Sequence, residues 1–330
     1  MSEGVIKETI KFIIDNCSKN DDVSVSFFGG EALLHINEIE NAIITLSEHI
    51  GEHVVFDIST NGLLLTATNI KRIVKFPRTV ISVSLDGCKS IHDKNRIDIK
   101  GKPTYDKIVS NLRYFQNTYP DEYQRRIRLL VTVGSIEDVT IMDNYYSEFK
   151  QLLGERNPQI SHIFPNFGKN LLYMDSKAQK QKFILEALES RKKGETNFHT
   201  LLLDNLTRKA SKRIEDYDDR KRIKLRTCLD SLYSLFIDVN GKLFPCEKFG
   251  KDQSIGSIQS GLDIGKMRKL TYSYVLRRNI LCSKCKYVEY CHRCLSDSKM
   301  SISEQRKMCS EYIDNIKLAL QIITQYEKNL

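Results

Sequence analysis

The chain has 330 residues, 41% of them hydrophobic and 28% charged, the make-up of an ordinary globular protein with room for one large domain and a smaller one. Its 51 basic and 42 acidic residues leave a formal charge of +9, but the basic stretch from Arg208 to Arg226 is interleaved with acids and reads as a solvated helix face rather than a nucleic-acid surface. The N-terminus, MSEGVIKETIKFIIDNC, combines acids with helical apolar spacing at Val5, Ile6, Ile10 and Ile13, which fits neither a signal sequence nor a membrane span and makes the cytoplasm the expected compartment.

From residue 4 to about 165, β-branched runs alternate with helical patterns. The runs are Val23 to Phe28, Val54 to Ser59, Thr79 to Leu85 and Ile127 to Val133, with a weaker one at Ile160 to Phe164. Amphipathic stretches near 36 to 49, 66 to 74, 104 to 117 and 138 to 153 lie between and after them. Strand and helix in alternation at this spacing predict βαβ units and a parallel sheet. Polar helical segments from about 175 to 226 read as a linker. Beyond it, Leu232 to Phe244 reads as a hairpin, because Asn240-Gly241 is a strong turn signal between apolar runs. Ile302 to about Lys328 reads as one amphipathic helix.

In a parallel α/β domain ligands sit at the carboxyl ends of the strands. Gly29-Gly30-Glu31 follows the first run, where glycines let backbone approach a ligand and a carboxylate can hold an ammonium group. Ser59-Thr60-Asn61-Gly62 follows the second, and Ser84-Leu85-Asp86-Gly87 follows the third, with His92, Asp93 and Arg96 beyond. A guanidinium there can grip a carboxylate with two hydrogen bonds. Taken singly, each of these is common as a plain turn.

Seven of the nine cysteines fall between Cys228 and Cys309, which in a reducing compartment points to metal rather than disulfides. They read Cys228, twelve residues, Gly241, four residues, Cys246, then Cys282-x2-Cys285-x5-Cys291-x2-Cys294, then Cys309. On spacing alone, seven thiolates suit either structural zinc or iron–sulfur clusters, though zinc ribbons separate their knuckles by about 15 to 20 residues. Cys17, at the end of a helix, and Cys88 read as structural.

In order, FFGGEALL, STNG and SVSLDG with HDKNR resemble the radical S-adenosylmethionine (SAM) superfamily over about residues 1 to 165, in its peptide- and sulfatase-modifying branch. Ala32 departs from the proline usual at that position. The cysteine series resembles the SPASM domain from about residue 225 to the end, with x2 before Cys294 where that family has x3. The resemblance implies an α/β protein: a partial (β/α)6 TIM-type barrel missing its first strand over residues 1–200, a helical linker to about 225, and a small α+β iron–sulfur domain over 226–330. It implies that Glu31, with the Gly29 and Gly30 backbone, takes the SAM ammonium. Ser84 and Arg96 would hold the SAM carboxylate, Ser59 and Asn61 would add hydrogen bonds, Asp86 would order the loop, and the strand at Val131 would flank the adenine.

By the same resemblance Cys282, Cys285, Cys291 and Cys309 would hold one auxiliary [4Fe-4S] cluster and Cys228, Cys246 and Cys294 the other, which is one ligand short. Glu247 falls where sulfatase-maturing relatives carry an acidic general base, and an exposed glutamate after a turn is also common. The family's third, SAM-binding cluster needs C-x3-C-x2-C, a spacing absent from these 330 residues. The chain is therefore expected to begin beyond that loop and to be inactive as given, the third cluster belonging only to a longer form.

The expected activity of the intact protein is peptide maturation by hydrogen abstraction, giving a thioether or other crosslink. Formylglycine formation in a sulfatase is the alternative, and a non-catalytic iron–sulfur module that binds peptide or relays electrons is the rival of another class. Expected partners are a peptide or protein substrate and a reductant such as flavodoxin or ferredoxin, with no nucleic acid and no membrane.

Overall fold

The computed structural model describes every residue except 20, 163–176, 216–228, 230–233, 251, 289, 292–293, 297–299 and 328–330. Backbone contacts divide it into two units, Asn16–Leu203 and Met1–Asp15 with Asp204–Leu330. Helix α1 (Glu3–Asn16), expected at the start of the barrel domain, groups with the second unit.

In the first unit β1 (Val23–Phe27), β2 (Val54–Thr60), β3 (Thr79–Ser84), β4 (Ile127–Val133) and β5 (Gln159–His162) form one parallel sheet in chain order. Helices α2 (Ile36–Ile50), α3 (Ala67–Ile73), α4 (Lys89–Asn95), α5 (Tyr105–Thr118) and α6 (Pro120–Arg126) fill the crossovers. The stretch expected as one helix near 138 to 153 is two, α7 (Ile136–Asp143) and α8 (Tyr146–Lys150). At the break, the Asp143 carboxylate turns to accept a hydrogen bond from Phe198 N at 2.6 Å and to pair with the buried His199.

The strand order decides the architecture. Crossovers between parallel strands are right-handed, so strands laid down 1-2-3-4-5 put every helix on the same face. A doubly wound fold would reverse direction midway and cover both faces. The side chains agree: Phe56, Ile58, Ile81, Val83, Leu129 and Val131, on the helix side, are each 2% exposed or less. They share the core with Ile43, Leu46, Ile70, Leu112 and Phe115 of the helices, each burial worth about 1.5–3 kcal/mol. The opposite face alternates in polar residues: Ser24 and Ser26, Asp57 and Ser59, Ser82 and Ser84, Arg128 and Thr132. Deep on that face, Asp57 accepts from Ser82 Oγ at 3.2 Å and from Arg128 Nη1 at 3.3 Å. The unit is an open (β/α) half-barrel whose face away from these helices is polar.

In the second unit β6 (Phe236–Ile237), β7 (Lys242–Phe244), β8 (Gly256–Ser257) and β9 (Gly261–Leu262) form an antiparallel sheet. The expected hairpin is β6–β7. Gly241 takes a φ of 74°, and the Asp238 carboxylate accepts from Asn240 N and Lys242 N at 2.9 Å each. Helix Ile264–Cys282 follows, capped by Asp263, which accepts from Lys266 N at 2.9 Å. Helix Ile302–Glu327 closes the unit as expected. Leu243, Phe244, Ile255, Tyr274 and Leu295 form its core, and Phe12 of α1 packs against it. Among the described residues no helix is long and apolar enough to cross a membrane.

The expected linker corresponds to helices Lys177–Lys192 and Phe198–Glu215, while residues 216–226 of it lie outside the described residues. So do Phe164 of the last strand expectation and the side chains of the basic stretch 208–226.

Candidate cofactor-binding site

At the end of β1, Gly29 and Gly30 are exposed with φ of 108° and 38°, and among the described residues no atom beyond the adjoining ones lies within 4 Å of where a Cβ would stand on either. The backbone there is open to a ligand. Glu31 then caps a 3-10 turn over Ala32–His35, its Oε1 accepting from Leu33 N at 3.1 Å. Ala32 opens that turn, a position where proline is tolerated but not required.

The same Glu31 carboxylate reaches β2: Oε1 accepts from Thr60 Oγ1 at 2.6 Å and Oε2 from Asn61 N at 2.8 Å. Three donors thus occupy three of about four acceptor positions on the carboxylate. The next residues are braced in turn, since Gly62 N donates to Thr60 Oγ1 at 3.0 Å and Leu63 N to Asn61 Oδ1 at 2.9 Å. Gly62 has a φ of 81° and its Cβ position is only 2.8 Å from Ile108, so glycine is required there.

At the ends of β3 and β4 a second group forms around Asp86, whose side chain is 3% exposed. It accepts from Arg96 Nε at 2.5 Å, Arg96 Nη2 at 3.2 Å and Thr132 N at 2.7 Å. Arg96 Nη2 also donates to Thr132 Oγ1 at 3.1 Å. Among the described residues, Nη1 is left as the remaining pair of guanidinium donors on a side chain about a third exposed, at 32%. Ser84 is half-buried on the polar face, as are Ser59 and Thr132.

Val131 is placed differently. Strand alternation puts its side chain, 0% exposed, on the helix-covered face, so from β4 it is Leu130 and Thr132 that face the polar side. Thr132 went unnoticed in the sequence, although its alternation with the apolar Val131 and Val133 in the same strand was a usable signal. Cys88 is buried at the N-cap position of α4, with Sγ 3.4 Å from Ser90 Oγ, and Cys17 is half-buried at the end of α1.

In the second unit none of the described cysteines is in a disulfide. Cys285 N donates to Cys282 O at 3.0 Å, the tight turn that a C-x2-C knuckle needs, and Cys291 N donates to Val288 O at 3.3 Å just ahead of the second pair. Burial pushes the Cys246 thiol pKa up, the nearby Glu247 and Cys294 act in the same direction, and Lys248 opposes them. Cys309 is half-buried on helix Ile302–Glu327, Glu247 is exposed directly after Cys246, and Cys228 lies outside the described residues. Among the described residues no group of three or more His, Cys, Asp or Glu side chains is arranged to hold a metal ion. The donor chemistry, several thiols with Cys282 and Cys285 joined by a tight turn, fits a soft metal or an iron–sulfur cluster.

No protein-family model matches the chain. It is 28% identical over 152 residues to a cysteine-type anaerobic sulfatase-maturating enzyme of Clostridium novyi (strain NT), an alignment spanning 45% of the chain and 37% of that protein. Among solved structures, native anSMEcpe with bound AdoMet and Kp18Cys peptide superposes with a TM-score of 0.68 at 18% identity, covering 100% of the chain and 91% of that structure. SuiB of Streptococcus suis bound to S-adenosylmethionine gives 0.50 at 17% identity, over 91% of the chain and 68% of SuiB. The chain is a homologue of an anaerobic sulfatase-maturating enzyme and has the fold of the radical SAM/SPASM proteins.

Proposed function

We propose that the protein is a radical SAM/SPASM maturase acting on a peptide, in which it makes a crosslink such as a thioether. The observation that carries this is the pair of groups at the strand ends of the polar face. One offers open glycine backbone and a spare acceptor on Glu31, suited to an amine; the other offers Arg96 Nη1 and Ser84, suited to a carboxylate. An amino-acid moiety such as that of SAM presents both. When bound, SAM with its iron–sulfur cluster supplies a carbon radical able to take a hydrogen atom from the substrate.

In this reading Ser59 and Asn61 add hydrogen bonds beside Glu31, Asp86 holds Arg96 in place, and β4 near Val131 walls the adenine through Leu130 and Thr132. Cys282, Cys285, Cys291 and Cys309 would hold one auxiliary cluster and Cys228, Cys246 and Cys294 the other. Glu247 would take a proton from the substrate, and a flavodoxin or ferredoxin would serve as electron donor. The name of the Clostridium novyi relative favours a second reading, oxidation of a cysteine to formylglycine.

The test is anaerobic incubation with SAM, dithionite and a cysteine-containing peptide. None of the nine cysteines stands at C-x3-C-x2-C spacing, so the 330 residues alone should give no 5'-deoxyadenosine, whereas a form extended N-terminally by a segment with that spacing should. In the peptide's mass spectrum, loss of two hydrogens with sulfur retained marks a thioether, and loss of sulfur marks formylglycine. Peptide binding without 5'-deoxyadenosine from either form would replace the enzyme with a docking module.

A further inference from the structure

Beyond the end of β3, four residues close a ring of hydrogen bonds. The Asp86 carboxylate holds the Arg96 guanidinium at 2.5 and 3.2 Å. Asp86 N donates to His92 Nδ1 at 3.1 Å, and His92 Nε2 lies 3.0 Å from Thr104 Oγ1. Thr104 Oγ1 in turn donates to the carbonyl of Arg96 at 2.9 Å, which returns the ring to its start. Thr104 is itself fixed, its N–H donating to Asp93 Oδ1 at 3.0 Å.

The donors decide the tautomer. A backbone N–H can only donate, so Nδ1 of His92 carries the lone pair. The Thr104 hydroxyl has one proton and gives it to Arg96, so it must accept from His92, and Nε2 carries the ring proton. We propose that His92, held as the neutral Nε2–H tautomer, is the positioning residue that fixes the Arg96 guanidinium for an anionic group at the strand ends. That this group is the carboxylate of SAM rests on the function proposed above.

A protonated ring would set one N–H against the Asp86 N–H and open the loop between Ser84 and Arg96. His92 is 0% exposed, and the edge of the Tyr105 ring packs on it with centroids 5.6 Å apart. The charged groups facing it are Asp86, Arg96, Asp93 and Lys89. Burial lowers its pKa most, Arg96 and Lys89 act in the same direction, and Asp86 and Asp93 oppose them.

Two measurements separate the positioning role from the identity of the ligand. Long-range proton–nitrogen spectra of the histidine-labelled chain should show His92 as Nε2–H, and still neutral at a pH where the exposed histidines of the chain are already protonated. The Arg96 Nε–H signal should be sharp in the unaltered chain and lost in His92→Ala while the rest of the spectrum stays folded. An Nδ1–H tautomer, or an Arg96 signal indifferent to His92→Ala, would overturn the proposal.

In the second measurement S-adenosylhomocysteine is titrated calorimetrically. His92→Asn, which can keep the acceptor toward Asp86, and His92→Gln, which can keep the donor toward Thr104, should each weaken binding about tenfold. Neither should add to the loss in an Arg96→Ala background. Unaltered affinity in both folded variants would overturn the proposal. No binding by the unaltered chain would overturn the SAM reading alone, and the spectra would still judge His92.

Discussion

Glu31 accepts three hydrogen bonds before any ligand is considered, and they tie the end of β1 to the end of β2. Glutamine has the same shape but one acceptor oxygen, so its amide nitrogen must face either Asn61 N–H or Leu33 N–H, donor against donor. Glu31→Gln should cost about 1–3 kcal/mol in urea denaturation of the first unit, and an unchanged midpoint would show that the stitch is dispensable. Asp93 gives the pH counterpart. Its carboxylate accepts from Thr104 N at 3.0 Å and Tyr105 N at 2.9 Å and pairs with Lys89 at 3.0 Å. Burial alone would raise its pKa, but the bonds from Tyr105, Lys89 and Thr104 together outweigh that and lower it. A carboxyl whose pKa is lower folded than unfolded adds stability above the unfolded value of about 3.9 and loses it as pH falls through the folded value. Asp93→Asn should therefore flatten part of the decline in urea midpoint below pH of about 4, and parallel curves for the two proteins would contradict this. Glu31, Asp86, Asp93 and Arg96 could be named from the sequence, but not Thr132 or the bonds that join these residues. Glu31 and Thr60 are 29 positions apart and Asp86 and Thr132 are 46 apart, and only the folded sheet joins them.

At the scale of elements, Arg126 at the end of α6 closes the end of α3. Its guanidinium is buried and donates to the carbonyls of Ile73 at 3.1 Å, Val74 at 3.2 Å and Phe76 at 2.8 Å, with Glu122 as counter-charge. Ile73 is the last residue of α3 and Val74 its C-cap, carbonyls of the kind a helix end leaves without intrahelical partners, and Phe76 follows just beyond. Arg126→Met keeps the bulk and removes every donor, so a loss of about 3–5 kcal/mol is expected. Arg125→Met is the control: its side chain is largely exposed and, among the described residues, pairs with Glu122 alone at 2.6 Å, so its loss should cost under about 1 kcal/mol. Equal losses in thermal unfolding would contradict the assignment. The strands β1 to β4 and helices α2, α3 and α5 were legible because β-branched runs and helical spacing are local signals. Strands β8 and β9 were not, since two residues beside Gly256 and Gly261 carry no pattern. The break between α7 and α8 depends on Asp143 bonding to Phe198 and His199, 55 and 56 positions away, which no window around residue 143 contains.

For the whole molecule, the half-barrel was legible in the order of strand-end motifs and is visible in the strand order itself. The allegiance of α1 was not, because its apolar side says that it packs and not on what. Phe12 packs against the core of the second unit, and Glu8 accepts from Gln259 Nε2 at 2.7 Å. The cysteine pattern was the plainest signal in the chain, while the described geometry goes as far as the turn that joins Cys282 and Cys285. The central claim, a SAM-type half-barrel joined to an iron–sulfur domain, meets its most direct test in the metal content of the anaerobically purified chain. The account predicts brown protein with about seven to eight iron atoms and matching acid-labile sulfide per chain, from two four-iron clusters. Colourless protein holding one or two zinc ions and no sulfide would contradict it.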